Sequence, residues 1–504
     1  MGKILETQVL IIGGGIAGAS VLRELSKYKI DLTLIEKSPN LCSATSKGSH
    51  SKVFWGAVMA FSLVLKSVMS PPGEPIYDPE ARFLRLAKEG FEAFDRLAYE
   101  LDILHSRPHV LVIARDKKEL AMLHRMEEIT NDLTEKMGGG GVRMIDKNTL
   151  NELEPNVTDK AIAALYDESN LREVFGADYI FGLIDNAKDN GAKVLMSTEA
   201  RKISRKNGAY FVETNKGTIE TQFIVNAGGR YADYVADMAG ARDDWGMAFN
   251  RTQMLILDKR LEGLINGLIM RAPEPGVFDF LLPLHTGNIY VGCGTYEPVE
   301  DRDNTATVSE NFDYAFDHAK ALVPAISKKD AITSFYGIRY WNTRDVEGHI
   351  IEPSKHAPNF INLVIKLPGF GPAPAIAKTV VSLLADQELQ LTEKKNFNPI
   401  RKGIPRFSAL SNEERKHLIA QDPKYGNIVC FCETVTEGEI VEAIGRGATT
   451  IQSVKYRTRA GMGRCQRNFC GPYVAEILAR ELNVSIDEII YDGPGSKDVL
   501  YKFK

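Results

Sequence analysis

The stretch from Gln8 to Gly18, QVLIIGGGIAG, constrains the chain more than any other. An apolar run of β-formers breaks on Gly13-Gly14-Gly15-Ile16-Ala17-Gly18, a buried strand turning on glycines into a helix. Such a turn leaves backbone N–H groups and the positive end of the helix facing outward, where a pyrophosphate is held. Gly13 is expected to permit the tight turn, Gly15 to let phosphates approach the backbone, and Gly18 to let the helix pack on the strand. Asp31 to Glu36, DLTLIE, reads as the second strand, with Glu36 placed to hold a ribose hydroxyl.

The 504 residues allow two or three domains. An apolar fraction of 44% and a charged fraction of 25% are those of a globular protein. The net charge of −4, with no basic block, gives no electrostatic reason to expect nucleic acid as a partner. The early start of the dinucleotide strand leaves no room for a leader. The most apolar run, Val53 to Met69, is too short to span a bilayer and carries Lys66. A cytoplasmic protein without a transmembrane segment is the expectation.

After Glu36 and Lys37, the small and hydroxylated residues around Ala44, Thr45 and Ser46 suit a loop close to a cofactor. Val53–Met69 reads as a buried helix, closed by a breaker at Ser70-Pro71-Pro72-Gly73. Helical spacing also marks Arg82–Leu101, Lys118–Met137 and Phe175–Asn190, with His109–Ala114 a strand among them. Gly138 to Gly141 follow a helix, not a strand, so they form a turn and not a second cradle. Strands resume from Lys193 to Val225 and lead into Asn226-Ala227-Gly228, a second place where glycine allows backbone near the cofactor. Gln253–Asp258, Ile289–Cys293 and Ser334–Arg339 alternate as strands, with a helix over Phe312–Val323. Strand Phe360–Ile365 enters Leu367-Pro368-Gly369-Phe370-Gly371 and the helix Ala373–Leu384. A sheet completed only after a long excursion implies an interleaved second domain.

Together GGGIAG with Glu36, Ala44-Thr45-Ser46, Asn226-Ala227-Gly228 and LPGFG resemble the FAD-dependent oxidoreductases of the D-amino-acid-oxidase superfamily. Within it the chain is most similar to the glycerol-3-phosphate dehydrogenase and L-2-hydroxyglutarate dehydrogenase branch, over about residues 6 to 385. The resemblance implies FAD, with Glu36 on the adenosine ribose, the Ala200 backbone by the adenine, and Gly369, Phe370 and Gly371 beside the flavin. The fold class expected is α/β: a Rossmann-like FAD-binding domain (1–85, 190–245 and 345–386) interleaved with an α+β substrate domain (86–189 and 246–344). A linker (387–427) and a small iron–sulfur domain (428–504) complete it.

Four of the six cysteines crowd into the end of the chain as Cys430-Phe431-Cys432 and Cys465 with Cys470. Two close thiolate pairs can ligate one zinc or one [2Fe–2S] cluster, and spacing does not choose between them. The run Arg459-Ala460-Gly461-Met462-Gly463-Arg464-Cys465-Gln466 resembles the bacterioferritin-associated-ferredoxin-like domain fused to anaerobic glycerol-3-phosphate dehydrogenases, which implies [2Fe–2S].

Oxidising a secondary alcohol needs a base for the hydroxyl proton and, for an anionic substrate, a fixed cation. Arg339, in Tyr336-Gly337-Ile338-Arg339, is the expected anchor, because the family carries Gly-x-Arg there and a guanidinium grips an anion through two bonds. The relatives' histidine after the flavin loop is missing from Ser49-His50-Ser51-Lys52-Val53-Phe54-Trp55-Gly56. His50 is the nearest substitute for the base, with His285 and His349 remoter; Trp55, Tyr336 and Trp341 are candidates for narrowing the pocket. The expected substrate is sn-glycerol 3-phosphate, with electrons passing through the cluster to a partner protein in a hetero-oligomer, and peripheral membrane association through that partner. The alternatives are L-2-hydroxyglutarate or another 2-hydroxy acid, an amino or imino acid, or a noncatalytic electron-transfer subunit.

Overall fold

The computed structural model describes residues 4–69, 77–78, 80–275, 277–294, 297–344 and 348–497. The breaker expected at 70–73 lies outside them. The first strand, Ile4–Ile12, is buried on both faces, with Val9, Leu10 and Ile11 at 0% exposure, as befits the middle of a parallel sheet. It runs parallel to Leu32–Ile35 on one side and to Gly217–Asn226 on the other. Phe360–Val364 pairs in parallel with the last residues of Gly217–Asn226, so residues far apart in sequence complete one eight-stranded sheet. Four helices cover one face in a single core: Ile16–Leu25, Arg82–Leu101, Gly176–Asp189 and Ala373–Asp386. Most of Arg82–Leu101 and all of Gly176–Asp189 fall in the stretch expected to belong to the substrate domain. Their apolar faces, Phe94, Leu97, Ile180 and Ile184 among them, are instead buried in this first core.

The second sheet has nine strands and is mostly antiparallel. Its longest ladder joins Met247–Leu257 to Ala331–Asn342 and sets Asn250 across from Arg339. Gly56–Met69 and Lys117–Met137 cover one face, and Ser309–Leu322 covers the other. The run expected as one helix from Val53 begins with two strand residues, Val53–Phe54, paired to Leu171 and Arg172, before the helix starts at Gly56. Gly138 to Gly141 form a turn: the Trp55 indole donates to the Gly138 carbonyl at 3.2 Å, and Asn170 to that of Gly140 at 2.8 Å.

Residues 387–427 contain the helix Asn412–Gln421 and lie against the first domain: Lys394 N–H donates to the Lys27 carbonyl at 2.8 Å, and Arg401 pairs with buried Asp185 at 3.0 Å. The C-terminal unit has its own core under the helices Glu437–Gly445, Ile451–Thr458 and Gly471–Leu482. Thr436 caps the first of these and Glu439 returns a bond to the cap, a reciprocal start legible in the sequence. Among the described residues no helix is long and apolar enough to cross a membrane.

Candidate functional site

The strand Ile4–Ile12 ends at Gly13, whose φ of +114° only glycine adopts without strain. The Gly13 N–H donates to the Ile35 carbonyl at 2.9 Å, and the Asn226-Ala227-Gly228 turn presses on the same residue. A Cβ on Gly13 would lie 2.3 Å from the Ala227 carbonyl oxygen. Glu36 accepts from Gly14 N–H through Oε2 and from Ser38 N–H through Oε1, both at 2.8 Å. Ser46 Oγ accepts from Ile16 N–H at 3.2 Å, which pins the flavin loop over the first turn of the helix.

One cleft gathers the predicted cofactor residues. Gly13, Gly15, Ile16, Ala17, Glu36 and Lys37 line it from the first unit, and Ala44, Thr45 and Ser46 from the loop. Ala200, Ala227, Gly228, Gly369 and Phe370 close it, and His50 and Arg339 face the same space. Two predicted residues do not line it. Gly18 is buried in the strand–helix contact, and Gly371 lies behind the loop, its carbonyl 2.0 Å from where a Cβ on Gly90 would stand. The Thr45 hydroxyl and the Arg230 Nε, both on cleft residues, are buried without a partner among the described residues. A dinucleotide supplies what such groups lack, so the residues present fit FAD. Sequence reading missed Arg230 and Tyr231. Lys37 Nζ stands 3.3 Å above the Tyr231 ring, and burial lowers its pKa. The signal was their position directly after the second glycine turn. Replacing Glu36 by Gln is expected to loosen FAD about tenfold, the effect of weakening a charged acceptor of two N–H bonds, checked by equilibrium dialysis of the flavin.

Past the flavin loop, a Cβ on Gly48 would fall 2.7 Å from Gly337 Cα. That close approach sets the His50 segment over the strand carrying Arg339. His50 is buried, edge-on to Phe280 with ring centroids 5.6 Å apart, and its Nδ1 accepts the Lys52 backbone N–H at 3.3 Å. Burial first, then Lys52 and Arg339, hold its pKa well below the usual imidazole range. The other two histidines lie outside the cleft. His285 is bonded to Glu173 at 2.8 Å, and His349 accepts from Lys366 N–H at 3.1 Å with its pKa lowered to about 3 by burial. Of the three aromatics none lines the cleft: Trp55 is core, and the Tyr336 hydroxyl bonds Asn311.

The four C-terminal cysteines come together as two neighbouring pairs, each joining one member of either sequence pair. Cys430 lies beside Cys470 and Cys432 beside Cys465; Cys430 and Cys470 are buried, Cys432 and Cys465 half-buried. The Cys470 thiol and the backbone N–H groups of Gly461 and Glu433 pull the Cys430 pKa down. A Cβ on Gly463 would stand 2.3 Å from Cys432 Cβ, so glycine is required where this loop passes the thiols. Among the described residues no three His, Cys, Asp or Glu side chains converge on one point. The thiols form two contacting pairs, a donor set that fits a two-iron cluster with one pair per iron. Arg457 with Asp185 at 3.4 Å, Arg459 with Asn288 at 3.2 Å and Arg464 with Asp258 at 2.5 Å hold this unit against both other domains.

Comparison with known proteins gives the same two parts. A family model described as FAD dependent oxidoreductase matches residues 8–383, and one described as BFD-like [2Fe-2S] binding domain matches residues 428–480. A glycerol 3-phosphate dehydrogenase of Caloramator mitchellensis is 35% identical over 497 residues, 97% of each chain. A glycerol 3-phosphate oxidase of Mycoplasma pneumoniae is 27% identical over 407 residues, 78% of this chain and 98% of its own. Among solved structures, L-alpha-glycerophosphate oxidase from Mycoplasma pneumoniae with FAD bound superposes with a TM-score of 0.67 at 24% identity, covering 79% of this chain and 98% of that one. The chain therefore belongs to the FAD dependent oxidoreductase family, as an enzyme whose cofactors are FAD and a C-terminal [2Fe–2S] cluster.

Proposed function

We propose that this enzyme oxidises sn-glycerol 3-phosphate to dihydroxyacetone phosphate and passes the electrons through its [2Fe–2S] cluster to a partner protein. The observation that carries the reading is Arg339, a guanidinium lining the cleft, in a chain that the likeness to a glycerol 3-phosphate dehydrogenase covers nearly end to end. FAD, when bound, accepts the hydride and holds two electrons that a one-electron centre can divide. The chain's own residues do the rest. The glycine turn with Gly13, Gly15 and the helix N-terminus at Ile16 and Ala17 holds the pyrophosphate, Glu36 and Lys37 the adenosine end beside Ala200, and Ala44 to Ser46 with Gly369 and Phe370 the flavin. Arg339 grips the substrate anion and His50 meets its hydroxyl oxygen.

Cys430, Cys432, Cys465 and Cys470 bind the cluster. Its rim carries Phe431 and Phe469, 77% and 76% exposed, and Tyr473, 60% exposed, an apolar patch of the kind partner surfaces cover. A hetero-oligomer follows, in which the acceptor docks beside the cluster. The three-part division of the chain, with the cleft between the first two domains, belongs to this reading.

Anaerobic mixing with a panel of anionic alcohols and amino acids tests it. Glycerol 3-phosphate is expected to bleach the flavin absorbance fastest. Bleaching by a 2-hydroxy acid alone would move the substrate to that class, since Arg339 holds a carboxylate equally well. No bleaching by any of them, with reduction by a partner protein, would make the chain an electron carrier. Arg339→Ala is expected to raise KM about 10²–10³-fold, the loss of a charge-assisted bidentate contact, with Arg339→Lys intermediate. Unchanged kinetics would remove Arg339 from the anchor role.

A further inference from the structure

Lys52 is 1% exposed, and among the described residues its Nζ has no hydrogen-bond partner. It stands 3.6 Å above the Phe280 ring, which also makes an edge contact with His50. A buried lysine normally pairs with a carboxylate. Among the described residues the ionisable groups that act on it or share its surroundings are His50 on its own segment, Arg339 on Ala331–Asn342 and Tyr290 on the strand Ile289–Val291, and none of these is an acid. Tyr290 Oη, Thr252 Oγ1 and Asn250 Oδ1 are also buried without partners among the described residues. The sheet register puts all three on the face that carries Arg339, Asn250 directly across from it. These unpartnered donors and acceptors share a sheet face with Arg339, which with His50 lines the cleft; Lys52 itself is not part of that lining.

His50 cannot be the base in this arrangement. Its Nδ1 lone pair is taken by the Lys52 N–H, so the neutral ring carries its proton on Nε2 and can only donate from there. We propose that Lys52 is the catalytic base of the alcohol oxidation, with His50 donating from Nε2 to the same oxygen and Arg339 holding the anion. The inference rests on the function proposed above. The step balances: the C–H pair leaves as hydride to the flavin, the O–H proton goes to Lys52 Nζ, and the carbon–oxygen bond becomes double. Nζ, unbonded among the described residues and carried on a four-carbon stem, can turn from the Phe280 face toward Arg339 and the cleft.

Burial and the Arg339 charge push the Lys52 pKa well below the usual lysine range, freeing its lone pair. An anion on Arg339 cancels that charge and raises the Lys52 pKa, so Nζ takes up a proton when the anion binds at lower pH and stays neutral, ready to accept the hydroxyl proton, only at higher pH. Anion binding and proton uptake are therefore linked.

The linkage is measured on the holoenzyme with inorganic sulfate, which does not titrate near neutrality. Calorimetry in two buffers of different ionisation enthalpy is expected to show proton uptake on sulfate binding to wild type, and none for Lys52→Met. Equal uptake in both proteins, or none in wild type, overturns the proposal. In anaerobic rapid mixing, Lys52→Met and Lys52→Arg are expected to slow flavin reduction by glycerol 3-phosphate about 10²–10⁴-fold, with little change in KM. The wild-type rise of rate with pH is expected to vanish in both, while dithionite still reduces their flavin. Lys52→Arg at the wild-type rate overturns the proposal, because a guanidinium cannot accept the proton. A wild-type protein that glycerol 3-phosphate fails to bleach removes the substrate assignment alone, and the sulfate measurement then decides the role of Lys52.

Discussion

Gly18→Val is expected to yield protein without flavin. A Cβ at this position would lie 2.0 Å from the Gly13 carbonyl oxygen, 3.2 Å from its carbon and 3.3 Å from Ile11 Cγ2. The first two are backbone atoms of the turn itself, so no side chain can swing aside to relieve the overlap. The helix Ile16–Leu25 must shift off the strand, carrying away the N–H groups aimed at the pyrophosphate and the Ile16 N–H bond to Ser46. The cost exceeds the roughly 1–3 kcal/mol of ordinary overpacking. The measurement is the flavin-to-protein ratio, taken from absorbance after denaturation. Gly445→Ala serves as the control, since a Cβ there meets nothing within 4 Å, and it is expected to keep both cofactors. A stoichiometric flavin in Gly18→Val would mean that the glycine turn does not hold the cofactor.

Cys432→Ser is expected to abolish the cluster and leave the flavin chemistry intact. A serine hydroxyl does not ionise as a thiol does, and the pair that Cys432 makes with Cys465 is lost. Iron and acid-labile sulfide are expected to fall to background, and the electron paramagnetic resonance signal of the dithionite-reduced cluster with them. Bleaching of the flavin by substrate should proceed at the wild-type rate, because the Arg339 pocket is untouched. Reduction of a one-electron acceptor protein should drop to the level of protein without enzyme. Zinc in place of iron in the wild type, or full electron delivery by the variant, would contradict the relay.

The sequence made the cofactor end legible and the substrate end much less so. QVLIIGGGIAG and Glu36 are contiguous or nearly so, and each glycine answers a local backbone demand, seen in the positive φ of Gly13. The helix Arg82–Leu101 was readable to the residue from its spacing. Its partner was not: apolar periodicity states that a face is buried and leaves open against what. Arg82–Leu101 and Gly176–Asp189 therefore settle on the first sheet, away from the domain to which sequence order assigned most of their residues. The cysteines show the same limit. Their identity and clustering were plain, whereas the pairing of Cys430 with Cys470 and Cys432 with Cys465 depends on how the Gly461–Gly463 turn folds back over them.

The residues alone determined the dinucleotide strand, its glycines, its acidic partner and the four thiols, because those features arise from side chains a few positions apart acting on their own backbone. Only the tertiary structure decided that His50 and Arg339 line one cleft with Lys52 buried beside His50, and that the Lys52 N–H takes the His50 Nδ1 lone pair. Such meetings depend on the register of the strand that carries Arg339, where a shift of a single residue would turn its side chain to the opposite face, and on the contact of Gly48 with Gly337, which sets the His50 segment over that strand.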